Sequence, residues 1–422
     1  MNHQTFRHTS VGLAAALAIL TGAAGCGSSA RSSNGQSDDS GGTITLGMIS
    51  PLSGPSAETT TDARRGAQVA INQINAKGGV RKGQKLALKV VNEPTDPAGS
   101  ATAMRNFASQ GVKVVFGDSL TPDCAAAAPV AETAGILNVS PGCAGSTLTG
   151  PNRPTKSFFS AAGSDAMQAY ALGSALPTRF PDVKNLYMVG YDYLPGHETW
   201  DYIKKTWQTK DPSLKVRKEY FVPTSQLDFR SIASTLSAAA TGPKKSQGLV
   251  LTTYGAGTLA LLQQAQQSGL LDRFSFIATT FMYYRPALAL KGKAPRVIDS
   301  YSYVYWGAHD NPVNKSFVAD YQKIADNEYP SDWSFHAYVA TLAVAQALNK
   351  VDKVDLPSLV KALEGMTVNG PTGSFTIGAD NHQFEFPVIV GDVGGDPSAP
   401  DGVKVYGITK IPGEQASSVT FK

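Results

Sequence analysis

From Thr43 onward, short apolar runs alternate with stretches whose apolar positions recur every three or four residues, the rhythm of strands and helices in turn. Thr43–Ser50 (TITLGMIS) reads as a strand followed by the turn Pro51-Leu52-Ser53-Gly54-Pro55. Thr61–Lys77 sets Ala63, Ala67, Ala70, Ile71 and Ile74 on one helical face, and Gly78-Gly79 ends it. Lys85–Val91, Val112–Phe116 and Ile136–Val139 read as further strands, with helices over Ser100–Gln110 and over Cys124–Thr133, the latter opening near Pro122. A second run follows: strands at Asn185–Val189, Gly248–Leu251 and Phe274–Ala278, and helices ending at Leu176 and spanning His197–Trp207, Asp228–Ala240 and Thr258–Ser268. Short apolar strands alternating with helices predict parallel sheets covered on both faces and joined by right-handed crossovers, an α/β fold. Two such runs predict two similar lobes. Beyond Val297–Trp306 the alternation stops: helical stretches at Pro312–Asn327, Ser334–Asn349 and Leu356–Glu364 precede β-type sequence from Gly373 to Val390. If these late segments return to the first lobe before a last excursion to the second, three chain crossings form a hinge. No repeat of 20–50 residues stands out.

Length and composition agree with two lobes, since 422 residues exceed one ordinary core and 42% hydrophobic with 17% charged is a soluble balance. A formal net charge of +4 is too weak for a nucleic-acid footprint. The basic pairs Arg64-Arg65, Lys204-Lys205 and Lys244-Lys245 are dispersed and read as solvated faces, so no nucleic-acid partner is expected.

The amino terminus changes the picture. Val11–Leu20 (VGLAAALAIL) is apolar, follows a polar stretch containing Arg7, and is too short to span a bilayer. It leads into Ala23-Ala24-Gly25-Cys26, which resembles the lipobox cut by lipoprotein signal peptidase, with Ala23 where Leu is usual. The expectation is a signal peptide over 1–25, a lipidated Cys26, and a location in the cell envelope outside the cytoplasm, held to the membrane through that anchor. Two acyl chains suffice for stable anchoring where one is marginal. An acylated Cys and flexible linker over 26–42 follow, because Gly27–Gly42 (GSSARSSNGQSDDSGG) has nothing to bury.

Two cysteines remain, Cys124 and Cys143. Export favours a disulfide between them, closing a loop that the chain-entropy estimate values at about 3 kcal/mol. As thiolate nucleophiles they would need a base, and neither has a histidine nearby in sequence. The six histidines, His3, His8, His197, His309, His336 and His382, lack ligand spacing, so neither a metal site nor a cofactor is expected.

Taken in order, Pro51-Leu52-Ser53-Gly54-Pro55, Ile74-Asn75-Ala76-Lys77-Gly78-Gly79-Val80, Asp96-Pro97, Phe116-Gly117-Asp118-Ser119 and the tail Gly373-Ser374-Phe375 to Asp380-Asn381-His382 resemble the leucine/isoleucine/valine-binding family of type I periplasmic binding proteins. The resemblance implies two Rossmann-like lobes hinged near Gly163, near Tyr303–Trp306 and near Gly370. One lobe would comprise 43–163 plus 305–369, the other 164–304 plus 370–422. It also implies a small-molecule ligand captured by lobe closure, an ABC transporter permease as partner, and a monomer.

Open parallel sheets bind ligands at the carboxyl ends of their strands, and clefts between lobes favour small molecules. The loops concerned are Ser119-Leu120-Thr121 and Ser140-Pro141-Gly142-Cys143-Ala144. In the family, hydroxyls and backbone N–H groups there hold the ligand's α-carboxylate, so the resemblance implies ligand-binding roles for Ser119, Thr121, Gly142, Cys143 and Ala144. The alternative reading of Thr121 is a helix N-cap before Pro122, and the two roles are compatible. Ala144 departs from the pattern, for a hydroxyl usually lies there. The acid that pairs with the ligand's ammonium is replaced within Phe281-Met282-Tyr283-Tyr284, and a buried ammonium without a partner costs several kcal/mol. Glu58 or Asp192 could supply the charge. Tyr193, Tyr254, Phe281 and Tyr283 are expected to form an aromatic wall, or else ordinary interlobe packing. These departures point to a carboxylate or other acceptor-rich head with an apolar or aromatic body, a branched-chain amino acid remaining the family default and a related aromatic acid or amide the alternative.

Catalytic signatures are missing: no Gly-x-Ser-x-Gly occurs, His197-Glu198-Thr199-Trp200-Asp201 lacks a second histidine, and Gly78–Gly83 is no phosphate loop. The expectation is binding without catalysis. The rival from another class is a ligand-sensing receptor subunit that reports to a membrane signalling partner.

Overall fold

The computed structural model describes residues 42–418, apart from 54–55, 94–95, 118–119 and 291. The expected signal peptide and Cys26 lie outside the described residues. The first run is β1 (Thr43–Ile49), α1 (Ala57–Ala76), β2 (Lys85–Val91), α2 (Pro97–Ser109), β3 (Val114–Phe116), α3 (Thr121–Ala134), β4 (Leu137–Ser140) and β5 (Phe158–Ser160). Its sheet is wholly parallel in the order β2-β1-β3-β4-β5. Successive side chains of β3 point to opposite faces: Val114 and Phe116 pack with α1, while Val115 packs with Met104, Phe107, Ala127 and Ala131 of α2 and α3.

The second run is α4 (Asp165–Arg179), β6 (Asn185–Tyr191), α5 (Leu194–Lys210), β7 (Lys215–Val222), α6 (Arg230–Ala239), β8 (Gln247–Thr252), α7 (Gly255–Gln267), β9 (Phe276–Thr279), α8 (Tyr284–Ala289) and β10 (Val297–Tyr301). The chain then forms α9 (Pro312–Ile324), α10 (Asp332–Lys350), α11 (Leu356–Leu363), β11 (Thr367–Gly370), β12 (Gly373–Ile377) and β13 (Phe384–Glu385), followed by β14 (Val388–Gly395), β15 (Val403–Ile411) and α12 (Gly413–Ser417). The second sheet has the order β15-β14-β10-β9-β8-β6-β7, in which β14 alone is reversed, pairing antiparallel with both β10 and β15, while the other pairs are parallel. Apolar clusters cover both of its faces. This is the expected α/β architecture of two Rossmann-like lobes.

Phe317, Phe335, Tyr338 and Val339 of α9 and α10 share the first lobe's core with Ala63 and Ala67 of α1. Gly66 makes this packing close, for a Cβ there would lie 1.9 Å from the Ser334 carbonyl oxygen. The third crossing, which takes the chain back into the second lobe, is expected from the sequence near Gly370, but Phe375, Ile377, Phe384 and Phe386 all pack in the first core and Val388 in the second. The crossing therefore falls between Phe386 and Val388. The shift has a simple cause: β11, β12 and β13 form a small antiparallel sheet whose inner face needs the first lobe's apolar surface.

Candidate functional site

On the first lobe, the loops that leave β3 and β4 stand side by side, as adjacent strands require. Ser119 lies outside the described residues. Thr121 is the first residue of α3, and Leu120 occupies the cap position without a capping side chain, so the N-cap reading of Thr121 does not hold. Instead the Thr121 Oγ1 accepts a hydrogen bond from the Gly145 N–H at 3.1 Å. A hydroxyl that accepts keeps its own O–H for another partner. The Ser140 Oγ accepts from the N–H groups of Gly142 (3.2 Å) and Cys143 (2.9 Å), folding the loop back on its strand. Cys124 and Cys143 form the expected disulfide, which ties this loop to the first turn of α3. The Ala144 carbonyl accepts from the Asp165 N–H at 2.9 Å, joining the loop to the start of α4.

On the second lobe, Tyr193 and Tyr254 stand immediately before α5 and α7, at the carboxyl ends of β6 and β8. Their ring centroids are 5.7 Å apart, and Phe281 lies 6.5 Å from Tyr193 and 6.4 Å from Tyr254. All three are half-buried. Tyr283 does not join them: it is fully buried, its hydroxyl donates to the Pro295 carbonyl and its N–H donates to Asp299. The turn between the two rings passes through Met282 at a φ of 53°, a left-handed conformation uncommon for a bulky residue. That turn sends Phe281 to the aromatic group and Tyr283 to the core, a distinction that sequence spacing does not carry.

The structure also brings in two acids that sequence reasoning missed. Asp165 opens α4 directly after the first crossing and is buried. Burial, with the nearby Glu198 carboxylate, pushes its pKa up to about 7. Burial and, after it, the Asp165 charge push the Tyr193 phenol well above its usual value. Glu198, on α5, is half-buried, and burial raises its pKa. It accepts at 3.5 Å from the Ser146 hydroxyl of the first lobe, which also lies 3.4 Å from the Tyr202 hydroxyl. The acids expected from sequence lie elsewhere: Asp192 is exposed and paired with His197 at 2.8 Å, and Glu58 is exposed 4.0 Å from Arg285. The only signal for Asp165 was Ser164-Asp165 as a capped helix start, which any α4 would display. Among the described residues no group of three or more His, Cys, Asp or Glu side chains is arranged to hold a metal ion.

Donor-bearing loops stand on one lobe, aromatic rings and a buried acid on the other, with three chain crossings between the lobes, an arrangement suited to a small solute. A model of the periplasmic binding protein family matches residues 43–397. The chain belongs to that family. It is 27% identical over 357 residues to a leucine-, isoleucine-, valine-, threonine- and alanine-binding protein of Pseudomonas aeruginosa, covering 82% of this chain and 89% of the relative. Its fold is like that of the protein described by the same binding name from Brucella ovis in a closed conformation (TM-score 0.76, 19% identity, 89% of this chain and 96% of that one). It is also like that of an ABC transporter solute-binding protein of Rhodopseudomonas palustris in complex with 3,4-dihydroxybenzoic acid (TM-score 0.75, 19% identity, 88% and 98%). As a periplasmic binding protein the chain is extracytoplasmic and binds a solute; its relatives are solute-binding proteins, not enzymes. Among the described residues no helix is long and apolar enough to cross a membrane.

Proposed function

We propose that this periplasmic binding protein captures a zwitterionic amino acid with an apolar or aromatic side chain and delivers it, as a monomer, to an ABC importer. The observation that carries this reading is the buried Asp165, whose charge acts on Tyr193 and whose backbone N–H donates to Ala144 in the loop where the Gly145 N–H bonds the Thr121 hydroxyl. The Thr121 hydroxyl, the α3 N-terminus and Gly142–Ala144 suit a carboxylate. Asp165, on which the Glu198 carboxylate acts, suits an ammonium, and Tyr193, Tyr254 and Phe281 suit the side chain and add cation–π attraction for that ammonium. An aromatic acid without an amine would bring a negative charge toward two carboxyl groups, so benzoates fit less well than amino acids. Binding names among the relatives run both ways, amino acids for the Pseudomonas protein and a dihydroxybenzoic acid for the Rhodopseudomonas one.

Titration calorimetry with leucine, isoleucine, valine, phenylalanine, 4-hydroxybenzoate and short amides tests the reading. At least one amino acid is expected to bind and the benzoate not to; tight benzoate binding with no amino acid bound would overturn it. Lipid attachment at Cys26 is part of the same proposal. Metabolic labelling with an alkyne fatty acid is expected to mark the wild type and not Cys26→Ser, and an unlabelled wild type would remove the anchor.

A further inference from the structure

A cation of the second lobe reaches across to the first. Arg285, on α8, places its Nε 3.0 Å from Asp62 Oδ2, and its Nη2 contacts the same oxygen. Asp62, on α1, is 2% exposed and Arg285 is 17% exposed, so water screens the pair little. The seat is built entirely by the first lobe: the Tyr321 hydroxyl of α9 donates to Asp62 Oδ1 at 2.8 Å, and the Ser331 hydroxyl before α10 donates to Oδ2 at 2.5 Å. Around it, Glu58 and Glu328 each come within 4.0 Å of the guanidinium, and Arg65 lies 4.0 Å from Asp62 and 2.9 Å from Glu328. Three first-lobe acids thus face one second-lobe cation, with Arg65 as the sole first-lobe counter-charge among these groups.

This arrangement separates without unfolding either lobe. When the lobes part, Asp62 keeps its two hydroxyl donors and Arg65, while Arg285 returns to water. A buried carboxylate that keeps its hydrogen bonds avoids most of the penalty of an isolated charge.

We propose that Asp62 and Arg285 form a closure latch, in which a carboxylate seat prebuilt on the first lobe receives a guanidinium from the second and biases the unliganded protein toward the closed state. Arg285 is a positioning residue: it sets affinity through the closure equilibrium, since a ligand that needs closed lobes binds more weakly as the closed fraction falls. The inference rests on capture by lobe closure but not on the ligand's identity.

The experiment uses the full chain, without ligand, with one nitroxide on α2 and one on α6, and reads interlobe distances by double electron–electron resonance. Wild type is expected to show a closed population. Arg285→Gln is expected to raise the open-to-closed ratio about tenfold, Asp62→Asn to act in the same direction, and Arg285→Lys, which keeps the charge without the two-point contact, to fall between. Circular dichroism melts identify any variant that fails to fold, in which case Arg285→Lys and Glu328→Gln carry the test. A folded Arg285→Gln with the wild-type distance distribution would overturn the latch. No ligand enters this measurement, so it stands or falls apart from the amino-acid reading.

Discussion

At the residue scale, Thr121 and Asp165 carry the heaviest expectations. Thr121→Ala removes both the hydroxyl offered to a ligand carboxylate and the acceptor that holds the Gly145 N–H. Calorimetry is expected to show affinity weakened by about 1–3 kcal/mol, the range for stranding a buried polar group. Thr121→Ser keeps both functions and is expected to bind as wild type. For Asp165 the pH dependence follows from its raised pKa of about 7. An amino acid's ammonium pairs with the ionised carboxylate, so affinity rises with pH toward and through 7 and levels off above it. At pH 5.5 only a few per cent of the unliganded sites are ionised, which weakens apparent affinity about thirtyfold relative to pH 8. Asp165→Asn is expected to bind weakly and to lose this pH dependence; a wild-type profile in that variant would place the ammonium elsewhere.

At the element scale, two contacts decide how the first lobe holds its shape. α1 and α10 meet at Gly66, where even a methyl group would overlap the Ser334 carbonyl. Gly66→Ala is expected to destabilise the protein by about 1–3 kcal/mol, the usual cost of overpacking, as read by urea denaturation. The stabilising helix propensity of Ala is the smaller effect. The disulfide between Cys124 and Cys143 joins α3 to the loop after β4. The Cys124→Ser, Cys143→Ser double variant is expected to lose about 3 kcal/mol of unfolding free energy. It should also bind ligand more weakly, because Thr121 and Gly145 then move independently; unchanged affinity would show that the loops hold their positions without the bridge.

At the scale of the whole molecule, two sets of buried groups oppose each other between pH 4 and 6.5. Burial raises the pKa of Asp165 and Asp299 to about 7, that of Asp123 to about 6, and that of Asp332 well above the usual carboxylate range. These acids stay protonated in the fold while the unfolded chain ionises, so their contribution is full below about pH 4 and declines as pH rises through the folded values. Burial lowers His309 to about 4 and His336 to about 3, and lowers His382 as well. These histidines stay neutral in the fold while the unfolded chain binds protons, so their contribution is full above about 6.5 and declines on acidification. With four acids against three histidines, the thermal midpoint is expected to fall only modestly as pH rises from about 4.5 to about 6.5. His336→Gln removes one contribution that rises with pH, so the midpoint should then decrease more steeply as pH rises across that window; a midpoint that climbs steadily in wild type would contradict this balance.

Alternating apolar strands and amphipathic helices determined the two α/β lobes from sequence alone, because burial on both sheet faces leaves a periodic mark on the chain. The same signal was too weak for β7, whose Lys215, Arg217, Lys218 and Glu219 are exposed on a sheet edge, and for β5, which has three residues. Thr121, Gly142, Tyr193, Tyr254 and Phe281 were legible as candidates because strand ends and loop order locate them. The roles of Asp165, Glu198, Tyr283 and Arg285 were not, for each depends on partners far along the chain: Asp62 and Arg285 are 223 residues apart. Local sequence encodes which elements form and which face each buries; which side chains share a site was decided only by the packing of the lobes, since distance in space is set by the crossings and not by position in the chain.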